Sequence, residues 1–279
     1  MIQGGKIIGS GGQACIFSPA FESADAKSYV TKVMSSGSSL SEWSVANELM
    51  EFDPKEKYGV YVRGLRDCDI TRKKLLDEGL DVSNDKKCKE IGKTVQSEPH
   101  SYCAITIPLY KHDLETIPNM AKKTILKNIL GLWRGLIFYH DHFIVHGDIK
   151  APNIALYKNR FVFADWGWAA NIATNSEATV LITKMRQFPD YTPKKYGGES
   201  NGIWAPLIFD RSLNTTRLLF FNDIFMLAYF TEDLLNEVAP RSHESMKKVI
   251  KSILTNQLKF YKYSTAEIYK LILQSSKSS

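Results

Sequence analysis

The sequence predicts an α+β chain in two parts, strand-rich at first and mainly helical afterwards. Three observations predict this. Strand-like apolar runs recur through residues 1–108, around one helical stretch. The strongest helical periodicity, Lys122 to His142, opens a remainder (109–279) that is helical for most of its length. Set into that remainder is a polar hairpin, Ile144 to Gly167, holding two aspartates, a lysine and an asparagine. With 279 residues, 44% of them hydrophobic and 24% charged, the chain can bury a core in each part.

In the first part, Lys6-Ile7-Ile8 is a short strand leading into Gly9-Ser10-Gly11-Gly12-Gln13-Ala14-Cys15-Ile16-Phe17. Glycines between two strands let the backbone approach phosphates with its N–H groups pointing at them. Glycine-rich hairpin turns are common, so the stretch says little by itself. Tyr29 to Met34 is a strand carrying one inward lysine, Lys32. Leu40 to Phe52 has helical spacing at Trp43, Ala46, Leu49 and Met50, with Ser41 as N-cap. Tyr58 to Val62 reads as another strand. Asp67 to Pro99 is polar and charge-dense, with a helical piece at Lys73 to Leu80, and reads as an inserted, solvated loop. Tyr102 to Ile107 returns to strand character.

In the second part, two adjoining apolar stripes on Lys122–His142 predict a wide buried face. In the hairpin, Ile154–Leu156 and Phe161–Ala164 are strands joined by a turn, with Asn159 free to take a left-handed conformation. The hairpin brings Asp148, Lys150, Asn153 and Asp165 around one point. Phosphoryl transfer suits such a point, because it needs positioning and charge neutralisation more than covalent work. Asp165 and Asn153 offer hard oxygens for Mg2+. Asp148 can accept the proton of an attacking hydroxyl, and Lys150 can pair with the transferring phosphate. Trp168 to about Trp204 lacks strong periodicity, and Lys184, Arg186, Lys194 and Lys195 make part of it mildly basic. Leu218 to Leu235 is a buried helix, and Met246–Leu254 and Ala266–Leu273 are helical patterns in the tail.

His146-Gly-Asp148-Ile-Lys150-Ala-Pro-Asn153 resembles HRDLKxxN, the catalytic loop of the eukaryotic-type protein kinases, and Asp165-Trp-Gly167 resembles their DFG. The resemblance runs from Ile7 to Leu273 and implies a single bilobal kinase domain over 1–279. It implies a five-stranded antiparallel sheet with one helix at 1–108, a mainly helical lobe at 109–279, an insertion at 67–99, and ATP between the lobes. Gly9 to Ile16 resembles the loop GxGxxGxV, with Ala14 in place of the third glycine and Ile16 as the residue packing on adenine. Ile8, Gly9, Ser10, Gly11, Gly12, Ala14, Ile16, Val30 and Ala155 would then surround the nucleotide. Lys32 resembles the VAIK lysine that binds the α/β-phosphates. Its glutamate partner is assigned to Glu48, with Glu42 and Glu51 as competitors. Ile107 takes the gatekeeper position, and the Pro108 carbonyl and Tyr110 N–H would meet adenine. Asn153 and Asp165 would hold Mg2+, with Mn2+ as an alternative.

The resemblance also sets the remaining expectations. Ala205-Pro206-Leu207 is similar to APE, with Leu207 replacing the glutamate; Tyr191-Thr192-Pro193 is the other candidate end of the activation segment. Asn222-Asp223-Ile224-Phe225-Met226-Leu227 is similar to DxWSLG, opening the central buried helix. Gly147 stands where most kinases carry an arginine that reads a phosphate on that segment. The implied activity is serine/threonine protein kinase, with a protein substrate and a regulatory protein as partners. His-Gly-Asp and Asp-Trp also occur in aminoglycoside and choline kinases, the rival enzyme class; a nucleotide-binding pseudokinase scaffold is the second rival. The compact C-terminal part, HGDIK and the weak APE are similar to divergent kinases of large DNA viruses.

Composition supplies the rest. A net charge of +6 is too mild to argue nucleic-acid binding, and neither nucleic acid nor membrane is expected as a partner. Cys15, Cys68, Cys88 and Cys103 are scattered without metal-ligand spacing and read as free thiols of a reducing compartment. No signal-peptide pattern opens the chain, and Asp223, Glu232 and Asp233 break the most apolar late stretch. A cytoplasmic location follows, host cytoplasm or virion for a viral source.

Overall fold

Short apolar and β-branched runs make a sheet of the first part. The strands are β1 (Lys6–Ser10), β2 (Ala14–Ser18), β3 (Tyr29–Ser35), β4 (Gly64–Leu65) and β5 (Tyr102–Pro108), antiparallel in the order β1-β2-β3-β5-β4. The computed structural model describes residues 6–10, 14–21, 26–65, 68, 70, 73, 88, 102–117, 120–187, 204–240 and 242–277. The chain divides into two units, Met1–Glu56 with Val60–Lys111, and Lys57–Gly59 with His112–Ser279. It is a mixed α/β structure with a small antiparallel sheet and several helices.

In the first unit, Cys15 lies opposite Val33, and Val33 opposite Ala104, so one sheet face gathers these residues with Phe17 and Phe21. Ile70 and Cys88 complete that cluster, and both are buried. Thus the stretch expected as a solvated loop gives at least these two side chains to the core. Helix α1 (Ser36–Phe52) follows β3 directly, with Ser35 rather than Ser41 at its N-cap. Its first turn is polar, which hides the start from an apolar count; the Ser35 hydroxyl donates to Ser38 Oγ at 2.9 Å. The strand expected at 58–62 does not form. Gly59 makes a lone parallel bridge to Phe163, and Val60–Val62 are buried outside any ladder. An apolar run of this length does not distinguish a strand from buried coil. The helical piece expected at 73–80 lies outside the described residues, Lys73 excepted.

The four cysteines are not free thiols: Cys15 is bonded to Cys88 and Cys68 to Cys103. The partners are 73 and 35 residues apart, separations that carry no sequence signal. The reducing-compartment reading therefore loses its basis in the cysteines. Among the described residues no helix is long and apolar enough to cross a membrane.

The second unit holds β6 (His112–Asp113), α2 (Lys122–Asp141), β7 (Ile144–Val145), β8 (Ile154–Tyr157), β9 (Arg160–Phe163) and β10 (Ala170–Asn171). Then come α3 (Asn175–Met185), α4 (Thr215–Val238), α5 (Glu244–Thr255), α6 (Gln257–Phe260) and α7 (Thr265–Lys277). Helix α2 buries the first predicted stripe, Ile125, Ile129, Leu132 and Leu136; of the second only Trp133 is buried, and Leu126, Leu130 and Ile137 are half-buried. A Cβ at Gly135 would lie 3.3 Å from Phe163 and Tyr58, so a small residue lets β9 approach the helix. Helix α3 overturns the expectation of an aperiodic segment after Gly167. A capping box joins Thr174 and Glu177, and Ala178, Leu181, Ile182 and Met185 form its buried stripe. Asn222 and Asp223 do not open α4; they lie two turns inside it, behind an Asn214 cap.

Candidate active site

The hairpin forms as its sequence predicts. Tyr157 pairs with Arg160, and Lys158 and Asn159 take φ of +49° and +62°. At its base Ala164 N–H donates to the Asn153 carbonyl at 2.9 Å, which fixes the start of Asp165 beside Asn153. Asp165 itself has φ +60°, a conformation that aspartate tolerates better than most residues. The packing of Trp166 on Tyr139 and His146 holds it there, with ring centroids 4.9 and 4.7 Å apart.

Asp148 divides its two oxygens. Oδ2 accepts from Lys150 Nζ at 2.7 Å and from Asn153 Nδ2 at 2.9 Å. Oδ1 is buried and accepts no hydrogen bond. A buried acceptor left unmade costs about 1–3 kcal/mol, so its persistence marks a place where an incoming donor is expected. Burial raises the Asp148 carboxyl above its ordinary value; Lys150 opposes this, and Asp165 adds to it. Asn153 Nδ2 also donates to the Asp148 carbonyl at 2.9 Å, so both of these bonds engage the amide nitrogen and neither uses the Oδ1 acceptor.

These donors fit Mg2+, which takes one or two carboxylates with the remaining positions filled by water and phosphate oxygens. Among the described residues no three His, Cys, Asp or Glu side chains converge to hold a metal by themselves. Asn153 Oδ1 and the Asp165 carboxylate are the residues that would hold the ion. Lys150→Met removes the main influence that lowers the Asp148 pKa. The acid limb of kcat/KM is expected to move to higher pH in that variant; a limb that stays or moves down contradicts the pairing.

The loop carrying Asp148 is held from below. Asp223, fully buried, accepts from His146 N at 2.6 Å and from Gly147 N at 3.0 Å. His146 Nε2 donates to the Ala164 carbonyl at 3.0 Å while Nδ1 accepts from Asp148 N–H at 3.3 Å, a pair of bonds that requires the Nε2–H tautomer. Trp204 Nε1 donates to the Gly147 carbonyl at 3.1 Å, and Trp168 and Trp204 meet edge to face. Gly147 has φ +74°, and a Cβ there would stand 2.8 Å from the Trp168 carbonyl oxygen. The residue is glycine for the backbone's sake. Gly147→Ala is expected to cost about 1–2 kcal/mol for the left-handed backbone alone, with more from the clash. An unchanged unfolding midpoint would show that this corner is not strained.

The first unit holds the other expected residues. Lys32 lies in register between Ile16 on β2 and Ile105 on β5. Its Nζ is 2.9 Å from Glu42 Oε2, with both side chains buried. The partner assignment to Glu48 is therefore corrected to Glu42. Glu42 belongs to the buried stripe of α1 with Ser39, Val45, Ala46 and Leu49. Glu48 lies six residues on, about 240° round the helix, and is half-exposed. The glutamate's place on that stripe was the available signal. Val30 is opposite Ile107, and Pro108 opposite Tyr29. Ala14 and Val30 are buried, as is Ala155 in the second unit, while Ile8 is 53% exposed. Gly9 and Ser10 end β1; Gly11 and Gly12 lie outside the described residues, and Tyr110 is half-buried.

Of the two candidate ends for the segment after Gly167, Trp204–Pro206 is anchored, whereas 191–193 lies outside the described residues. Ala205 N–H donates to Asn222 Oδ1 at 2.9 Å, and Leu207 N–H to Gln257 Oε1 at 3.3 Å. Arg186 donates to the carbonyls of Ile208 and Asp210 at 2.7 and 3.2 Å. From sequence this arginine reads as one charge of a basic surface. It holds the backbone of the segment at Ile208 and Asp210 instead.

No family model matches the chain. A stretch of 99 residues, 33% of the chain, is 31% identical to cyclin-dependent kinase-like 2 of Pongo abelii. The match spans 20% of that relative, so the chain corresponds to about a fifth of its length. Along 33% of its length, then, the chain is similar to a kinase-like protein.

Proposed function

We propose that the protein is an ATP-dependent serine/threonine protein kinase. The observation that carries this reading is the division of Asp148, one oxygen held by Lys150 and Asn153, the other buried and without a donor. A substrate hydroxyl is the donor that this second oxygen suits; the carboxylate takes its proton as the hydroxyl oxygen bonds to the γ-phosphorus of ATP, whose bond to the β,γ-bridging oxygen breaks so that ADP leaves. Lys150 steers the carboxylate and meets negative charge on the transferred group. Mg2+ bound through Asn153 and Asp165 would neutralise the phosphates. Lys32, oriented by Glu42, supplies a fixed cation for the nucleotide phosphates. Lys150, two residues after Asp148, favours this reading over the aminoglycoside and choline kinases. The intact Lys32, Asp148, Asn153 and Asp165 favour it over a scaffold without catalysis. Phosphoamino-acid analysis of a labelled protein acceptor is expected to give phosphoserine and phosphothreonine; mainly phosphotyrosine would contradict it.

Control by phosphorylation of the segment after Gly167 is not expected. Thr183 is exposed on α3, and its basic neighbours are engaged: Lys184 sits 4.0 Å above the Trp168 ring, and Arg186 binds carbonyls. A local exposed pair is worth about 0–1 kcal/mol, whereas an off-to-on switch needs about 5 kcal/mol. Thr183→Ala and phosphatase treatment should each leave the rate within a few-fold. A hundredfold fall with folding preserved would show that a phosphate does switch the protein.

A further inference from the structure

The positive charge of the chain is concentrated at one end. Residues 240–279 carry eight lysines and arginines against two glutamates, a net of +6, equal to the net charge of all 279 residues. The remainder is balanced, so a mild whole-chain charge becomes a strong local field. Lys248 and Lys251 on α5, Lys259 on α6, Lys262 in the turn, and Lys270 and Lys277 on α7 are all exposed. Among the described residues none of these six forms an ion pair. Both glutamates are engaged close to their own backbone: Glu244 pairs with Lys247 at 3.4 Å, and Glu267 caps α7 through Ser264 N–H at 2.7 Å.

Apolar side chains stand among these lysines. Leu258 is 58% exposed, Tyr263 37% and Leu271 36%, three of the few large hydrophobic residues exposed in the described chain. The turn that presents two of them is pinned. Phe260 is buried, Tyr261 Oη accepts from Asn214 N–H at 2.9 Å, and Arg217 Nη1 donates to the Lys262 carbonyl at 3.0 Å. With Phe260 anchored inward, Leu258, Lys259, Lys262 and Tyr263 are held outward.

We propose that α6, the turn into α7 and the outer face of α7 dock on an anionic membrane surface. The lysines would meet lipid phosphates and carboxylates, and Leu258 and Tyr263 would enter the interfacial layer. Basic residues mixed with exposed leucine and tyrosine are what such a surface binds. A nucleic-acid backbone would use the charge but gain nothing from Leu258 and Leu271. Lysine also lacks the planar fork that reads base edges. The surface lies on a bilayer and does not span it, since no described helix is long and apolar enough to cross one.

The test is co-sedimentation of the full chain with vesicles of phosphatidylcholine alone, or with about a third phosphatidylserine. Binding is expected only with phosphatidylserine. Each lysine changed to glutamine should cost about fivefold in partitioning, the equivalent of ~1 kcal/mol. Lys259→Gln with Lys262→Gln, and Lys270→Gln with Lys277→Gln, provide two independent pairs, each checked for an unchanged unfolding midpoint. In raised salt, where the charge contribution is screened, Leu258→Ser with Tyr263→Ser should remove the binding that remains. No binding to phosphatidylserine vesicles overturns the proposal. So does tighter binding to duplex DNA or polyglutamate that ignores the Leu258 and Tyr263 changes; the surface would then serve a nucleic acid or an acidic protein.

Discussion

Asp148→Asn and Asp165→Asn should each lower phosphoryl transfer by at least about a hundredfold, because fixed charge and positioning supply most of the rate in such a reaction. The two should part company in nucleotide binding. Asp165→Asn removes a carboxylate assigned to the metal and should weaken Mg-ATP affinity in titration calorimetry. Asp148→Asn changes a group assigned to the acceptor hydroxyl and should leave that affinity near wild type; the reverse order would exchange the two roles. Stability provides a second readout for Asp148. Its pKa is raised in the folded chain, chiefly by burial. Below the ordinary value of 3.8 both states are protonated and there is no penalty. The penalty sets in as pH rises from there to the folded value, and is complete above it. The amide that replaces this carboxylate carries no charge to bury, so the unfolding midpoint of Asp148→Asn at neutral pH should hold or rise while activity is lost. A large fall would mean that the carboxylate serves the fold.

Glu42→Ala should destabilise the first unit by about 3–5 kcal/mol, the usual result of stranding one charge of a buried pair. Lys32 would be left buried without the carboxylate that now lies 2.9 Å away. Glu48→Ala, at a half-exposed position, should cost about 0.5 kcal/mol or less. Urea unfolding of both variants checks the ranking. Equal losses, or a larger loss at Glu48, would return the pairing to Glu48. Buried pairs can be replaced at little cost when both partners go. Lys32→Met with Glu42→Leu should therefore recover much of the stability but no transfer activity.

The parts legible in the sequence were those set by local rules. The β8–β9 hairpin was readable because two short apolar runs, a turn asparagine and closely spaced polar residues coincide within a few residues. The α2 helix was readable because two apolar stripes repeat over its whole length. Glu42 was misjudged because Trp43 and Met50 suggested an apolar stripe that the buried face of α1 does not follow. Helix α3 was missed because its stripe is short, although Thr174 and Glu177 were in plain view as a capping box. The disulfides were invisible because sequence separation says nothing of which strands will lie together. Gly147 was read only as a missing arginine. Its backbone angle and the Trp168 carbonyl that crowds it depend on how two distant stretches meet. Arg186 was read as surface charge for the same reason: its partners, the carbonyls of Ile208 and Asp210, lie 22 and 24 residues away.

The most direct test of phosphoryl transfer through Asp148 is one labelling experiment. The full chain is incubated with γ-labelled ATP and Mg2+, and with casein, myelin basic protein or choline as acceptor, beside the Asp148→Asn variant. Label on serine and threonine of a protein acceptor, absent with the variant, is the predicted result. Label on choline, or no label on any acceptor from a chain that binds ATP, would contradict it.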